Sequence, residues 1–194
     1  MIRIRVPLLL AAGASLIAAL WGGLLRVHWD LPLPPDNWVA FHGPLIVSGF
    51  LGTLIGLERA VGLDRRWAYL GPSLTALGAL LLMGTVSDRA PLWLFAAGSA
   101  GLTAVFTVLM WRHVALFNAT MGLGAVAWLV GNLLMLAGWR IPDIVIWWMA
   151  FFVLTIAGER LELTRLLPPD PIRKLAFLSC LVAILVGCFW TLGS

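Results

Sequence analysis

Seven apolar runs alternate with short polar connections along the chain, near residues 6–27, 39–61, 67–86, 91–111, 115–138, 142–165 and 172–192. Each is long enough to cross ~30 Å of hydrocarbon as a helix. With so little chain between them, consecutive runs are expected to pack antiparallel as one all-α bundle of seven transmembrane helices, with no extramembrane domain. One stretch organises this pattern. Phe41–Arg66, FHGPLIVSGFLGTLIGLERAVGLDRR, opens on a histidine, crosses a Gly-rich apolar run and leaves through Glu58-Arg59 and a basic loop. A shorter echo, TIAGERLELTR, lies near the C-terminus. Thr53-x-x-Gly56-x-Glu58-Arg59 matches Thr155-x-x-Gly158-Glu159-Arg160 with one residue deleted. The single domain, 1–194, is therefore a candidate for a parallel repeat of runs within 1–86 and 115–194, with the fourth run as linker.

Composition fits the same class. The 194 residues are 61% hydrophobic and 11% charged, against about a quarter charged in a soluble domain. A net charge of +4 would suggest nucleic acid in a soluble protein, but here the basic residues stand beside the runs and set topology, so no nucleic-acid partner is expected. With the N-terminus cytoplasmic, Arg3, Arg5, Arg59, Arg65, Arg66, Arg112, Arg160, Arg165, Arg173 and Lys174 lie inside, and Arg26, Arg89 and Arg140 outside. This bias predicts an inner-membrane protein with its N-terminus in and C-terminus out. Trp29, Trp38, Trp93 and Trp139 mark the outer interface and Trp67 and Trp111 the inner one, whereas Trp128 and Trp148 are expected to pack between helices. The N-terminal run is too long for a signal-peptide core and reads as an uncleaved first span. Cys180 and Cys188 lie on one run, ~12 Å apart along a helix axis, which excludes a disulfide between them and makes them packing residues.

On an α-helical wheel Gly49, Thr53, Gly56 and Ala60 fall within about 40° of His42, and Gly52 within about 80°. The histidine thus heads a stripe of small residues. Two readings stand together. Small residues let helix backbones approach closely in membranes; equally, a smooth face can hold a flat cofactor with His42 as axial ligand. The wording His-Gly-Pro-Leu-Ile-x-x-Gly-Phe resembles the histidine-bearing helix of haem-copper oxidase catalytic subunits and the corresponding region of NnrS-type membrane proteins. The resemblance covers about 20 residues of the chain, and it implies that His42 ligates haem or copper near the outer face. The oxidases carry further histidines that are lacking here. His28 is the other outer-side histidine, on a Pro-rich loop, and Met83 and Met135 are alternative second ligands.

At the inner side, Glu58, Arg59, Glu159, Arg160, Glu162 and Arg165 gather within about two turns of the boundary. They read as paired anchors, with Arg snorkelling to the interface, or as a proton- or substrate-handling site. His113 and Asn118 share that side without metal-ligand spacing. No HExxH, phosphate-binding Gly-rich loop or GxSxG is present. GERLELTR resembles the glutamate motif of CAAX-type membrane proteases, but their paired glutamates and later histidines are lacking. The leading expectation is a haem- or metal-associated subunit of a respiratory or nitrogen-oxide-related system, not an enzyme on its own. The alternatives are a small-solute or proton-coupled transporter, and a scaffold that packs in the lipid bilayer against other membrane subunits or copies of itself.

Overall fold

A computed structural model describes residues 2–34, 36–84, 89–164 and 171–193. Among the described residues the regular structure is entirely helical. Arg165 and the side chains of Arg3, Arg173 and Lys174, which enter the expected charge bias, lie outside them. The first apolar run forms α1 (Ile2–Arg26). The second is divided into α2 (Asp36–Ala40), α3 (His42–Pro44), a π-helical segment (Leu45–Gly52) and α4 (Thr53–Leu63). A 3-10 turn (Arg66–Tyr69) leads into α5 (Leu70–Met83). The remaining runs are α6 (Ala90–Arg112), α7 (Leu116–Leu136), α8 (Ile141–Thr164) and α9 (Pro171–Gly193).

Seven runs are thus not seven unbroken α-helices. The second run breaks at Phe41, which leaves helical geometry at φ −113°, ψ 23°. Pro44 explains the break, because its ring clashes with the carbonyl of Ala40 four residues back and it has no N–H to offer. The helix restarts when the Leu45 amide donates to the Phe41 carbonyl at 2.9 Å. Among the described residues five helices are long and apolar enough to cross a membrane: Ile4–Arg26, His42–Leu63, Ala90–Arg112, Leu116–Leu136 and Ile141–Leu163.

The chain forms two compact units, Met1–Val105 and Phe106–Ser194, with their boundary inside α6. In the first unit, α1, the second run and α5 pack antiparallel in turn. Gly22 of α1 lies against the Trp38 carbonyl, and Ser15 against Gly49. Thr53 then meets Thr75, and Gly56 meets Pro72. A Cβ on Gly49 would overlap the Ser15 hydroxyl and come 2.9 Å from the Ala79 Cβ, so only glycine fits this three-helix crossing. α5 meets α6 backbone to backbone, since a Cβ on Gly98 would lie 3.0 Å from the Gly71 carbonyl oxygen. Where helices of this kind cross a membrane, apolar burial does little to hold them together, and close backbone approach and hydroxyl bonds contribute instead. The Ser15 hydroxyl supplies one such bond, donating across helices to the Leu45 carbonyl at 2.8 Å. Trp21 Nε1 of α1 donates to the Pro32 carbonyl at 3.0 Å and Trp38 Nε1 to the Met83 carbonyl at 2.9 Å, which fastens the connection after α1 and the C-terminal end of α5.

The second unit is built on an antiparallel pair, α7 and α8. Gly124 faces the backbone of Phe151, Gly131 the indole of Trp148, and Gly158 the side chain of Met121. Trp128 and Phe151 stack between the two helices with centroids 4.9 Å apart and planes at 10°. Trp128 and Trp148 are both buried. α9 joins through Cys188, which packs with Ala127, Trp147 and Ala150, while Phe189 meets Trp147 edge-on at 5.8 Å. Neither cysteine forms a disulfide; Cys188 is buried and Cys180 exposed. At the start of α8 the exposed Arg140 grips both carboxylate oxygens of Asp143, at 2.9 and 3.2 Å. That hydrogen bonding, with the attraction of the charge, raises the guanidinium above its ordinary pKa.

Candidate functional site

His42 sits just beyond the Phe41 break and is half-buried. Its Nδ1 lies 3.1 Å from the Val39 carbonyl oxygen. A carbonyl only accepts, so Nδ1 carries the proton in this bond, and in a neutral ring the lone pair is then on Nε2. The ring rests against α1, with Cδ2 3.8 Å from where a Cβ of Gly23 would stand.

The small-residue stripe below it is a packing seam. Gly49, Gly52, Thr53, Gly56 and Ala60 are all buried. Ser15 and Ala79 fill the face of Gly49, and Pro72 that of Gly56. Side chains of α1 and α5 therefore occupy the position that a flat group on this stripe would need. The α-helical wheel also does not carry from His42 to Thr53, because the intervening π segment winds with more residues per turn than an α-helix. The seam's partners, Ser15 and Thr75, were not reached from the sequence. Their signal there is a hydroxyl within an apolar run.

At the other end of this run, Glu58 and Arg59 pair with each other. Arg59 donates to Glu58 Oε1 at 2.9 Å, the arginine side chain 15% and the glutamate 58% exposed. α4 ends one turn later on Asp64, in the left-handed conformation at φ 50°. In the second unit Thr155 and Gly158 are buried, Glu159 and Glu162 half-buried and each engaged by a partner, and Arg160 exposed. The two Thr-Gly motifs face different neighbours: Gly56 packs on the following helix α5, whereas Gly158 packs on the preceding helix α7.

His28 has a backbone role. At φ 65° it occupies the left-handed position that ends α1. The His28 amide donates to Leu25 and the Trp29 amide to Leu24, the paired bonds of a Schellman cap. Its side chain is exposed. His113 is also exposed, and Asn118 Nδ2 donates to its backbone carbonyl at 3.1 Å rather than to its ring. Met83 is half-buried beside the Trp38 bond, and Met135 is buried in the second unit. Among the described residues no three His, Cys, Asp or Glu side chains gather closely enough to hold a metal ion.

No curated protein and no solved structure matches the chain. A family model does match, over residues 5–194, nearly the whole length, and so the chain belongs to the family described as Domain of unknown function (DUF8744).

Proposed function

We propose that the chain is a multi-pass protein of a bacterial-type inner membrane, with seven spans, its N-terminus inside and its C-terminus outside, acting as a non-catalytic subunit of a larger membrane assembly. The third span needs its 3-10 turn: four residues at ~2 Å and fourteen at ~1.5 Å give about 29 Å, close to the hydrocarbon thickness. α9, with 23 residues, reaches about 35 Å. The orientation follows from the basic residues.

One observation carries the subunit reading. Among the described residues, no Asp, Glu, Lys, Arg or His is fully buried, and the Gly49 face is closed by Ser15 and Ala79. Transport sites in membranes rest on ionisable groups lining a cavity, often beside interrupted helices. The interruption at Phe41 is packed on α1, with the His42 ring against Gly23. Here the exposed Glu58 is paired with its neighbour Arg59 near a helix end. A core without fully buried charged side chains in each unit, among the described residues, leaves the surface as the working part. Copurification from native membranes in mild detergent tests this: a stoichiometric partner or a defined homo-oligomer is expected. A monomer that alone moves protons or solutes in liposomes would overturn it.

A second reading, haem or copper at His42, is favoured by the Nδ1 bond to the Val39 carbonyl. Ligating histidines commonly donate the other ring N–H to such an acceptor, which holds Nε2 ready. The group would then lie beside the break at Phe41 and draw its remaining ligands from a partner. Absorption spectra and metal analysis of the native protein test it. A Soret band or bound copper lost in His42→Ala supports the assignment, and neither signal in the native complex removes it.

A further inference from the structure

The seam of the first unit fixes a register that extends to its basic end. Gly49 meets both Ser15 and Ala79. Ten residues from each, toward that end, stand Arg59, Arg5 and Tyr69. The Gly56–Pro72 contact repeats the relation more closely, with Arg59 and Tyr69 each three residues further on. Two arginines and the chain's single tyrosine are thus brought to one level of the three-helix group.

Their hydrogen-bonding state is unusual. Tyr69 is 5% exposed, and its hydroxyl is buried without a partner; Arg5 Nε is likewise buried without one. The Arg59 side chain is only 15% exposed and is paired with Glu58, itself 58% exposed. Buried donors left unmade are costly, and a half-buried guanidinium more so. The Arg5 N–H is a donor, the Tyr69 hydroxyl has a proton to give, and an acceptor-only group of negative charge satisfies both. The exposed Arg65 and Arg66 add positive charge beside them, against the exposed Asp64. By the charge bias this end faces the cytoplasm, at headgroup depth, where basic pockets between spans take phospholipid headgroups.

We propose that Arg5, Arg59 and Tyr69 form a binding site for a phosphodiester group, that of an anionic phospholipid of the inner leaflet. The inference rests on the membrane reading for the source of the phosphate; whether detergent is required for extraction tests that reading separately. The full chain is purified in neutral detergent, stripped of lipid, and given phosphatidylglycerol, phosphatidylcholine or inorganic phosphate. Lipid retention is read by native mass spectrometry and the unfolding midpoint by fluorescence. Phosphatidylglycerol is expected to bind and raise the midpoint, and the other two to do neither. Tyr69→Phe and Arg5→Gln should each weaken phosphatidylglycerol about tenfold, as loss of a charge-assisted bond does. Lipid-free Tyr69→Phe should be at least as stable as the native chain, because it removes an unmet donor. A lower lipid-free midpoint for Tyr69→Phe, or equal binding of phosphatidylcholine, would overturn the site. Undiminished phosphatidylglycerol binding by both variants would do the same. Saturation and displacement of lipid by inorganic phosphate would overturn the lipid as its occupant.

Discussion

The hydroxyls of Thr53 and Thr75 meet at 2.9 Å, both fully buried, and join the second run to α5. Thr75 Oγ1 also lies 3.1 Å from its own Pro72 carbonyl, to which it can only donate. Its one proton is committed there, so Thr53 is the donor between helices. The bond lies between the Gly49 and Gly56 contacts, and the three together align α4 with α5.

Replacing either threonine with valine should therefore cost a modest amount, and the double variant less than the sum. Hydroxyl bonds between membrane helices couple by ~0.6 kcal/mol on average, up to about 1.7. Thr53 retains the option of turning back to a carbonyl of its own helix in Thr75→Val, which keeps that variant mild. A double-mutant cycle by unfolding in denaturing detergent measures the coupling. A value of zero would mean the pair is adjacent without being bonded.

Gly49 and Gly62 offer a contrast within one run. Gly49→Ala drives a methyl into Ser15 and Ala79, and overpacking of this kind costs about 1–3 kcal/mol. Gly49→Leu should prevent accumulation of folded protein. A Cβ on Gly62 would meet nothing within 4 Å, so Gly62→Ala should gain about 0.5–1 kcal/mol from helix propensity alone. Equal effects at the two sites would show that the seam is not closed around Gly49.

His42→Ala should leave the seam's stability nearly unchanged in the protein without a cofactor, because the ring bonds to Val39 on its own run. The expected loss is below ~1 kcal/mol, the net worth of one exchanged hydrogen bond. A larger loss confined to the native complex, with a change in the visible spectrum, is the expected mark of a ligand at this position. Chelation should then reproduce the loss in the unaltered chain and have no effect on the variant.

Much of the helical layout was legible from apolar run length, which reproduced α6 through α9 to within a residue or two. The second run was not, because its length and hydropathy are those of one helix. A single ring at Pro44 breaks it, and the π winding that follows is invisible to an α-helical wheel. The small-residue face was also legible, as Gly49, Thr53, Gly56 and Ala60. What occupies it was not, since a seam and a cofactor slot need the same small residues, and only the neighbours Ser15, Ala79 and Pro72 distinguish them. The Glu58-Arg59 motif and its echo read as one pattern, yet Gly56 and Gly158 pack on different neighbours in their two units. Short motifs carry no information about which helix they will meet.

The caps of α1 and α7 give a prediction that separates a structural histidine from a ligand. Leu24–Trp29 and Leu134–Trp139 end their helices alike, with the last tryptophan amide reaching back to Leu24 or Leu134. His28 at φ 65° and Gly138 at φ 95° hold the same left-handed position. A side chain there costs roughly 1–2 kcal/mol through its Cβ, and glycine removes the clash. His28→Gly should therefore stabilise the chain, and Gly138→Ala should destabilise it by a similar amount, measured by the same unfolding titration. The His28 ring is exposed, so its removal loses no packing that would mask the gain. Loss of bound metal or haem in His28→Gly would instead assign the ring a ligand's role. An unchanged metal content, with higher stability, assigns the residue to the cap.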